Sequence, residues 1–217
     1  MLARGSLTWV LPPAFGMVAC LAAALLFASL SVGDRAYATW ATLAMYANLP
    51  LGLLLLFLLV FFRDPERVPG RGIVSAADGR VLHADPGRGT LTVFMGIGNV
   101  HVNRAPWAGR ISRMTYTAGG HAPAYRAEAT RNERLETVLD TDIGQIRMTQ
   151  IAGVFARRIV PYRREGDRVK KGARVGMIRF GSRVELVLPR SVRILAREGD
   201  RVRAGETTVA EVDGGTR

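Results

Sequence analysis

Two unbroken apolar runs open the chain, from about Trp9 to Val32 and from Trp40 to Phe62, and neither contains a charge beyond its ends. Each exceeds twenty residues, which at about 1.5 Å per helical residue crosses roughly 30 Å of hydrocarbon. The pattern predicts a transmembrane α-hairpin over residues 1–62, with spans near 9–32 and 40–62. Pro12, Pro13 and Pro50 are expected to kink or shorten the spans. A signal peptide ending at Ala36-Tyr37-Ala38 fits less well, because its apolar region would be too long and Asp34 and Arg35 interrupt it. At Arg63 the pattern breaks. Residues 63–75 are charged and carry Pro65 and Pro69, as a short stiff linker would.

From residue 76 to 217 the apolar positions come in short runs or alternate with polar ones, a period of two that predicts a β-rich domain. Asp78-Gly79 between short apolar runs predicts a hairpin, as does Asp140-Thr141-Asp142 between Val138 and Ile143. No long helix is expected here, and residues 119–132 read as an irregular surface loop. Val184, Leu186 and Leu188 alternate with Arg183, Glu185 and Val187, so Ser182 stands at a loop-to-strand junction directly after Gly181. The plain reading of Gly181-Ser182 is a turn. A strained glycine turn would also let the Ser182 hydroxyl reach the Gly181 carbonyl, and that geometry permits self-cleavage.

One repeat is clear. Arg164-Glu165-Gly166-Asp167-Arg168-Val169-Lys170-Lys171-Gly172 recurs 33 residues later as Arg197-Glu198-Gly199-Asp200-Arg201-Val202-Arg203-Ala204-Gly205, identical at seven of nine positions. Its Glu-Gly-Asp turns resemble those of biotinyl and lipoyl carrier domains, which implies a pseudo-symmetric barrel-sandwich of two related β halves. No segment here resembles their modifiable lysine.

Charge narrows the function. Of 30 basic and 18 acidic residues only Arg4, Asp34 and Arg35 lie in residues 1–62, so the β-rich part is strongly basic. Arg4 before the first span and Arg63, Arg67 and Arg71 after the second place both ends, and the β domain, on the cytoplasmic side of the cell membrane. Arg157, Arg158, Arg163, Arg164 and Arg168 crowd one segment, and a basic face beside a membrane anchor attracts anionic phospholipid. Nucleic acid is not an expected partner, since no recognition helix or zinc pattern is present. Cys20 is the only cysteine, so disulfides and cysteine metal sites are excluded, and no metal is expected. The only lysines, Lys170 and Lys171, sit in a turn, where neither suits a pyridoxal Schiff base.

Phe62-Arg63-Asp64-Pro65, Ala77-Asp78-Gly79, Val100-His101-Val102-Asn103-Arg104-Ala105-Pro106 and Phe180-Gly181-Ser182 follow one another in this order. Together they resemble the phosphatidylserine decarboxylase proenzymes of the short, archaeal-type branch. The resemblance implies autocatalytic cleavage between Gly181 and Ser182 into tightly associated fragments 1–181 and 182–217. It implies that Ser182 becomes a pyruvoyl cofactor that takes the substrate amine as a Schiff base, and that phosphatidylserine loses CO2 to give phosphatidylethanolamine. It points to Asp78 and His101 as acid and base groups and leaves open which group deprotonates Ser182, with His83 and His121 as further candidates. Arg104 stands where the better-known branch carries a second histidine; its guanidinium suits the substrate phosphodiester, and its plain alternative is a solvated strand residue. A non-catalytic membrane adaptor built on a carrier-like β domain is the alternative; it would have no reason to cleave at Ser182.

Overall fold

A computed structural model describes residues 1–31, 34–120, 122, 123, 129, 131–153, 159–179 and 182–212. The chain forms two compact units, Met1–Arg63 and Asp64–Arg217.

The first unit is a helical hairpin of α1 (Leu7–Leu30) and α2 (Arg35–Phe61). With 24 and 27 residues, both helices are long and apolar enough to cross a membrane. Asp34 caps α2 by accepting the Ala36 N–H at 2.8 Å. Both helices continue through their prolines: Pro12 and Pro13 in α1, Pro50 in α2. The helices approach closely where side chains are small. A Cβ on Gly16 would stand 3.4 Å from Leu51, and one on Gly52 would stand 3.6 Å from Met17.

The second unit is built of β-strands, with no α-helix among its described residues. Its strands are β1 (Ile73–Val74), β2 (Gly79–Asp85), β3 (Thr90–Met95), β4 (Val102–Arg104), β5 (Gly109–Thr117), β6 (Arg134–Thr141) and β7 (Gly144–Ala152). They continue with β8 (Ile159–Pro161), β9 (Arg168–Val169), β10 (Arg174–Ile178), β11 (Ser182–Val187), β12 (Val192–Ile194), β13 (Arg201–Val202) and β14 (Thr208–Val212). An eight-stranded antiparallel sheet runs β13-β2-β3-β11-β7-β6-β5-β9, and two three-stranded sheets run β1-β14-β12 and β4-β10-β8. No sheet closes into a barrel among the described residues.

The large sheet reads the same from either edge. Each copy of the repeated nine-residue segment supplies one edge strand, β9 or β13, and the turns bond alike. Gly166 donates to Ile111 O and Gly199 to Val81 O, while Arg164 N–H and Arg197 N–H donate to the carboxylates of Asp167 and Asp200. The last glycines of the two copies meet, for a Cβ on Gly205 would lie 3.3 Å from Gly172 Cα. Both have positive φ, +76° at Gly172 and +73° at Gly205. The alternation read from sequence sends Val184 and Leu186 into one core with Leu91, Val93 and Met148.

The turn expected at Asp142 joins β6 to β7. The hairpin expected at Asp78-Gly79 does not form, because β1 pairs with β14 whereas β2 pairs with β3 and β13. The chain there passes between sheets. Gly79 permits the passage, since its φ is +149° and a Cβ would fall 1.9 Å from Phe94 O. Phe180, Gly181, His121, Arg157 and Arg158 lie outside the described residues.

Candidate active site

Ser182 is the first residue of β11, which lies in the interior of the eight-stranded sheet, paired on one side with Met95 and on the other with Ala152. Directly opposed residues of a ladder face the same way, so its side chain shares the core face with Met95 and Ala152. It is fully buried. Its Oγ has no hydrogen-bond partner among the described residues, a costly condition for a hydroxyl that only packed.

His101 immediately precedes β4, in the neighbouring sheet. Its carbonyl accepts the Ile178 N–H at 3.2 Å, and Ile178 ends β10 just before Ser182. The imidazole is fully buried, with Nδ1 2.9 Å from Asn99 O. A carbonyl only accepts, so Nδ1 carries the proton. In the neutral ring Nε2 then holds the basic lone pair.

Asp78 immediately precedes β2. Arg80 and Arg183 both pair with Phe94, which brings Asp78 to the serine end of the sheet, two strands from β11. Its segment runs beside the histidine's, since Arg104 N–H donates to Ala76 O at 2.9 Å. The carboxylate is buried and fully engaged. Oδ1 accepts the Ala204 N–H at 2.8 Å, and Arg67 closes on both oxygens.

Arg104, expected to grip a phosphodiester, is turned inward and buried. Nη1 donates to Gly172 O at 3.0 Å, and Nη2 to Asp64 Oδ1 at 3.0 Å and Pro65 O at 2.8 Å. Burial pushes its guanidinium below the ordinary value, and the Asp64 charge opposes that. Asp64 also accepts from Arg174, whose Nη2 binds Glu66; that hydrogen bond holds the Glu66 carboxyl below, and the Arg174 guanidinium above, their ordinary values. The residues read as a linker are thereby stitched to the β unit by alternating charge. His83 is exposed on β2, 3.3 Å from Glu198, in register with Thr92 and Glu185 on the face away from Ser182.

The structure adds residues that sequence reading passed over. Gln150 donates to Asn103 Oδ1 at 2.7 Å, and Asn103 Nδ2 lies 3.4 Å from Met95 Sδ. This buried chain links β7 to β3, the two neighbours of β11. A Cβ on Gly176 would stand 3.2 Å from the Gln150 amide nitrogen, so the glycine keeps room for it. Asn132 fixes the neighbouring strand end by donating to Ala152 O at 2.7 Å. The one sequence signal for this network was a polar residue, Gln150, inside an apolar strand.

A buried hydroxyl at the head of β11 and a buried carboxylate just before β2 stand at one end of the large sheet, and a buried imidazole precedes β4 in the neighbouring sheet. The sequence pattern of phosphatidylserine decarboxylase matches residues 54–210. A phosphatidylserine decarboxylase proenzyme of Streptomyces coelicolor is 45% identical over 212 residues, covering 96% of this chain and 91% of that protein. A putative archaetidylserine decarboxylase proenzyme of Methanosarcina acetivorans is 40% identical over 220 residues, covering 98% and 97%. A phosphatidylserine decarboxylase proenzyme of Thermobifida fusca is 43% identical over 210 residues, covering 95% and 90%. The chain belongs to the phosphatidylserine decarboxylase family.

Proposed function

We propose that this protein cleaves itself between Gly181 and Ser182 and then decarboxylates phosphatidylserine to phosphatidylethanolamine and CO2. The observation that carries the reading is the buried Oγ of Ser182 at the head of β11, without a hydrogen-bond partner among the described residues. As nucleophile that oxygen converts the Gly181–Ser182 amide to an ester. Removal of the Ser182 α-proton then expels the Gly181 carboxylate and leaves a dehydroalanine, which water converts to a pyruvoyl group with release of ammonia. Once formed, the group supplies an electron-accepting carbonyl for the charge left when CO2 departs.

The chain's own residues hold and move protons around that centre. His101, its ring oriented by the Nδ1 contact to Asn99 O, takes up a proton at Nε2 and returns it to the carbon that has lost CO2. Asp78 acts with the serine during cleavage, held in place by Arg67 and Ala204 N–H. Arg104 serves as a clamp on residues 64–65. We read the two related halves meeting at Gly172 and Gly205 as a carrier-like pseudo-symmetric sandwich, the hairpin α1–α2 as the membrane anchor, and the β unit as cytoplasmic.

Intact-mass and amino-terminal analysis of the purified full chain tests the proposal. The expected result is two associated fragments, the smaller covering the 36 residues 182–217 and blocked to amino-terminal sequencing, with CO2 released from phosphatidylserine. A single unmodified chain without activity would favour a membrane adaptor.

A further inference from the structure

The ladder next to Ser182 carries an unusual row. Arg201 pairs with Arg80, Arg80 and Arg183 both pair with Phe94, and Ile151 pairs with both Arg183 and Arg134. Four arginines therefore line one row of a single sheet face, crossing from β13 to β6. That row is one residue, roughly 3.3 Å along the strand, from the row of Ser182, and it lies on the opposite face. Like charges directly opposed in a ladder destabilise it, and Arg201 faces Arg80. An anion on this face removes that cost.

Arg183 is the member bonded to the reaction centre. Its side chain is only 8% exposed, and Glu185, 2.8 Å from its Nη2, orients it along the sheet, whereas Arg80 and Arg201 are open to solvent. The row thus runs from solvent to the residue after the reactive one. A serine phospholipid brings two anionic groups, and they need opposite treatment. A cation against the carboxylate would stabilise the charge that must leave as neutral CO2, while a cation on the phosphodiester binds ground and transition state alike. Arginines on the face away from the Ser182 side chain suit the second task, and guanidinium matches phosphate oxygens bidentately.

We propose that Arg183, assisted by Arg80, receives the phosphodiester of the serine phospholipid, the role that the inward-turned Arg104 does not fill. This rests on the reading of Ser182 as the reacting residue. Arg80→Gln, Arg183→Lys and Arg183→Gln are made in the full chain, and steady-state CO2 release is measured on the fragments that form. For phosphatidylserine in neutral detergent micelles, and for soluble glycerophosphoserine, each variant should raise KM about tenfold with kcat within about twofold. On a serine ether lipid lacking the phosphate, variants and wild type should be equal. Arg80→Gln keeps the test open if changes at Arg183 impair cleavage, because Arg80 is exposed and lies far from the scissile bond in sequence. Unchanged KM in cleaved Arg80→Gln and Arg183→Lys would overturn the proposal and leave the decarboxylase reading intact. So would a loss confined to binding of phosphatidylglycerol vesicles, which would make the row a general lipid-surface patch. Wild type that neither cleaves nor releases CO2 would instead remove the reading beneath it.

Discussion

Arg67 closes on Asp78 with both terminal nitrogens, Nη1 2.8 Å from Oδ1 and Nη2 2.9 Å from Oδ2, and both side chains are nearly buried. A residue of the segment that follows α2 thereby orients a carboxylate at the serine end of the sheet. Removing one partner of a buried pair leaves the other charge uncompensated, at about 3–5 kcal/mol. Arg67→Ala should therefore lower stability by roughly that amount and slow self-cleavage. Asp78→Ala should block cleavage. Normal fragment yield on denaturing gels from a folded Asp78→Ala protein would remove Asp78 from the chemistry.

The second ionic knot separates structure from substrate binding. Arg104 is held by Asp64, Pro65 O and Gly172 O, so Asp64→Asn and Arg104→Ala should each destabilise the β unit by several kcal/mol, on the order of 3, in chemical denaturation. KM of the surviving folded enzyme should not change. A selective rise in KM with unchanged stability would return Arg104 to the phosphodiester. Glu66 behaves differently. Its carboxyl titrates below the usual 4.5 because Arg174 hydrogen-bonds it, so the contact contributes above that pH and is lost as pH falls through the lowered value. Glu66→Gln should flatten that shallow acid-side loss in urea midpoints measured from pH 6 to 3.

The second copy of the repeat predicts a contrast between its two glycines. Gly199 has φ +91° and open space around its missing Cβ, so Gly199→Ala should cost only the left-handed backbone penalty, about 1–2 kcal/mol. At Gly205 a Cβ would stand 2.6 Å from Arg104 Cδ, against a side chain held at three points. Gly205→Ala should cost clearly more and loosen the clamp. Equal denaturation midpoints for the two variants would show that the meeting of the two halves carries little energy.

Periodicity made the broad plan legible. Charge-free runs marked the helices, alternation from Val184 placed Ser182 at the head of a strand, and the repeat marked two related turns. Long-range pairing was not legible. Asp78-Gly79 has the local chemistry of a hairpin, yet β1 and β2 belong to different sheets, a choice made by partners more than a hundred residues away in β13 and β14. The inward turn of Arg104 was hidden for the same reason. Its type suits phosphate, but its direction is set by Asp64 and by a carbonyl in the repeated turn, and no local pattern records that. Likewise the Asn103–Gln150 pair joins residues 47 apart.

His101 tests how maturation and turnover divide. With Nδ1 committed to Asn99 O, proton transfer falls to Nε2. His101→Ala should still yield both fragments and lose about a hundredfold or more in CO2 release, the range for removing a positioned general acid or base. A chain that stays whole while retaining native circular dichroism would assign His101 to cleavage instead. Time-resolved gels beside single-turnover CO2 release distinguish the two.

In the proposed mechanism Ser182 carries both steps, and its variants separate oxygen from position. Ser182→Ala lacks the nucleophile and the precursor of the carbonyl, so it should neither cleave nor decarboxylate, and it should fold because the buried Oγ makes no hydrogen bond that would be lost. Ser182→Cys keeps a nucleophile. Its thiol can form a thioester with Gly181, scission by elimination gives the Gly181 thiocarboxylate and the same dehydroalanine, and direct loss of sulfide before scission would leave the chain uncut. Slow cleavage with partial activity is therefore expected, read as appearance of the 36-residue fragment. In mature wild type, borohydride added with phosphatidylserine should fix lipid covalently to that fragment and abolish turnover. Lipid fixed to Lys170 or Lys171, or full activity in an uncleaved Ser182→Ala chain, would refute a mechanism that runs through this serine.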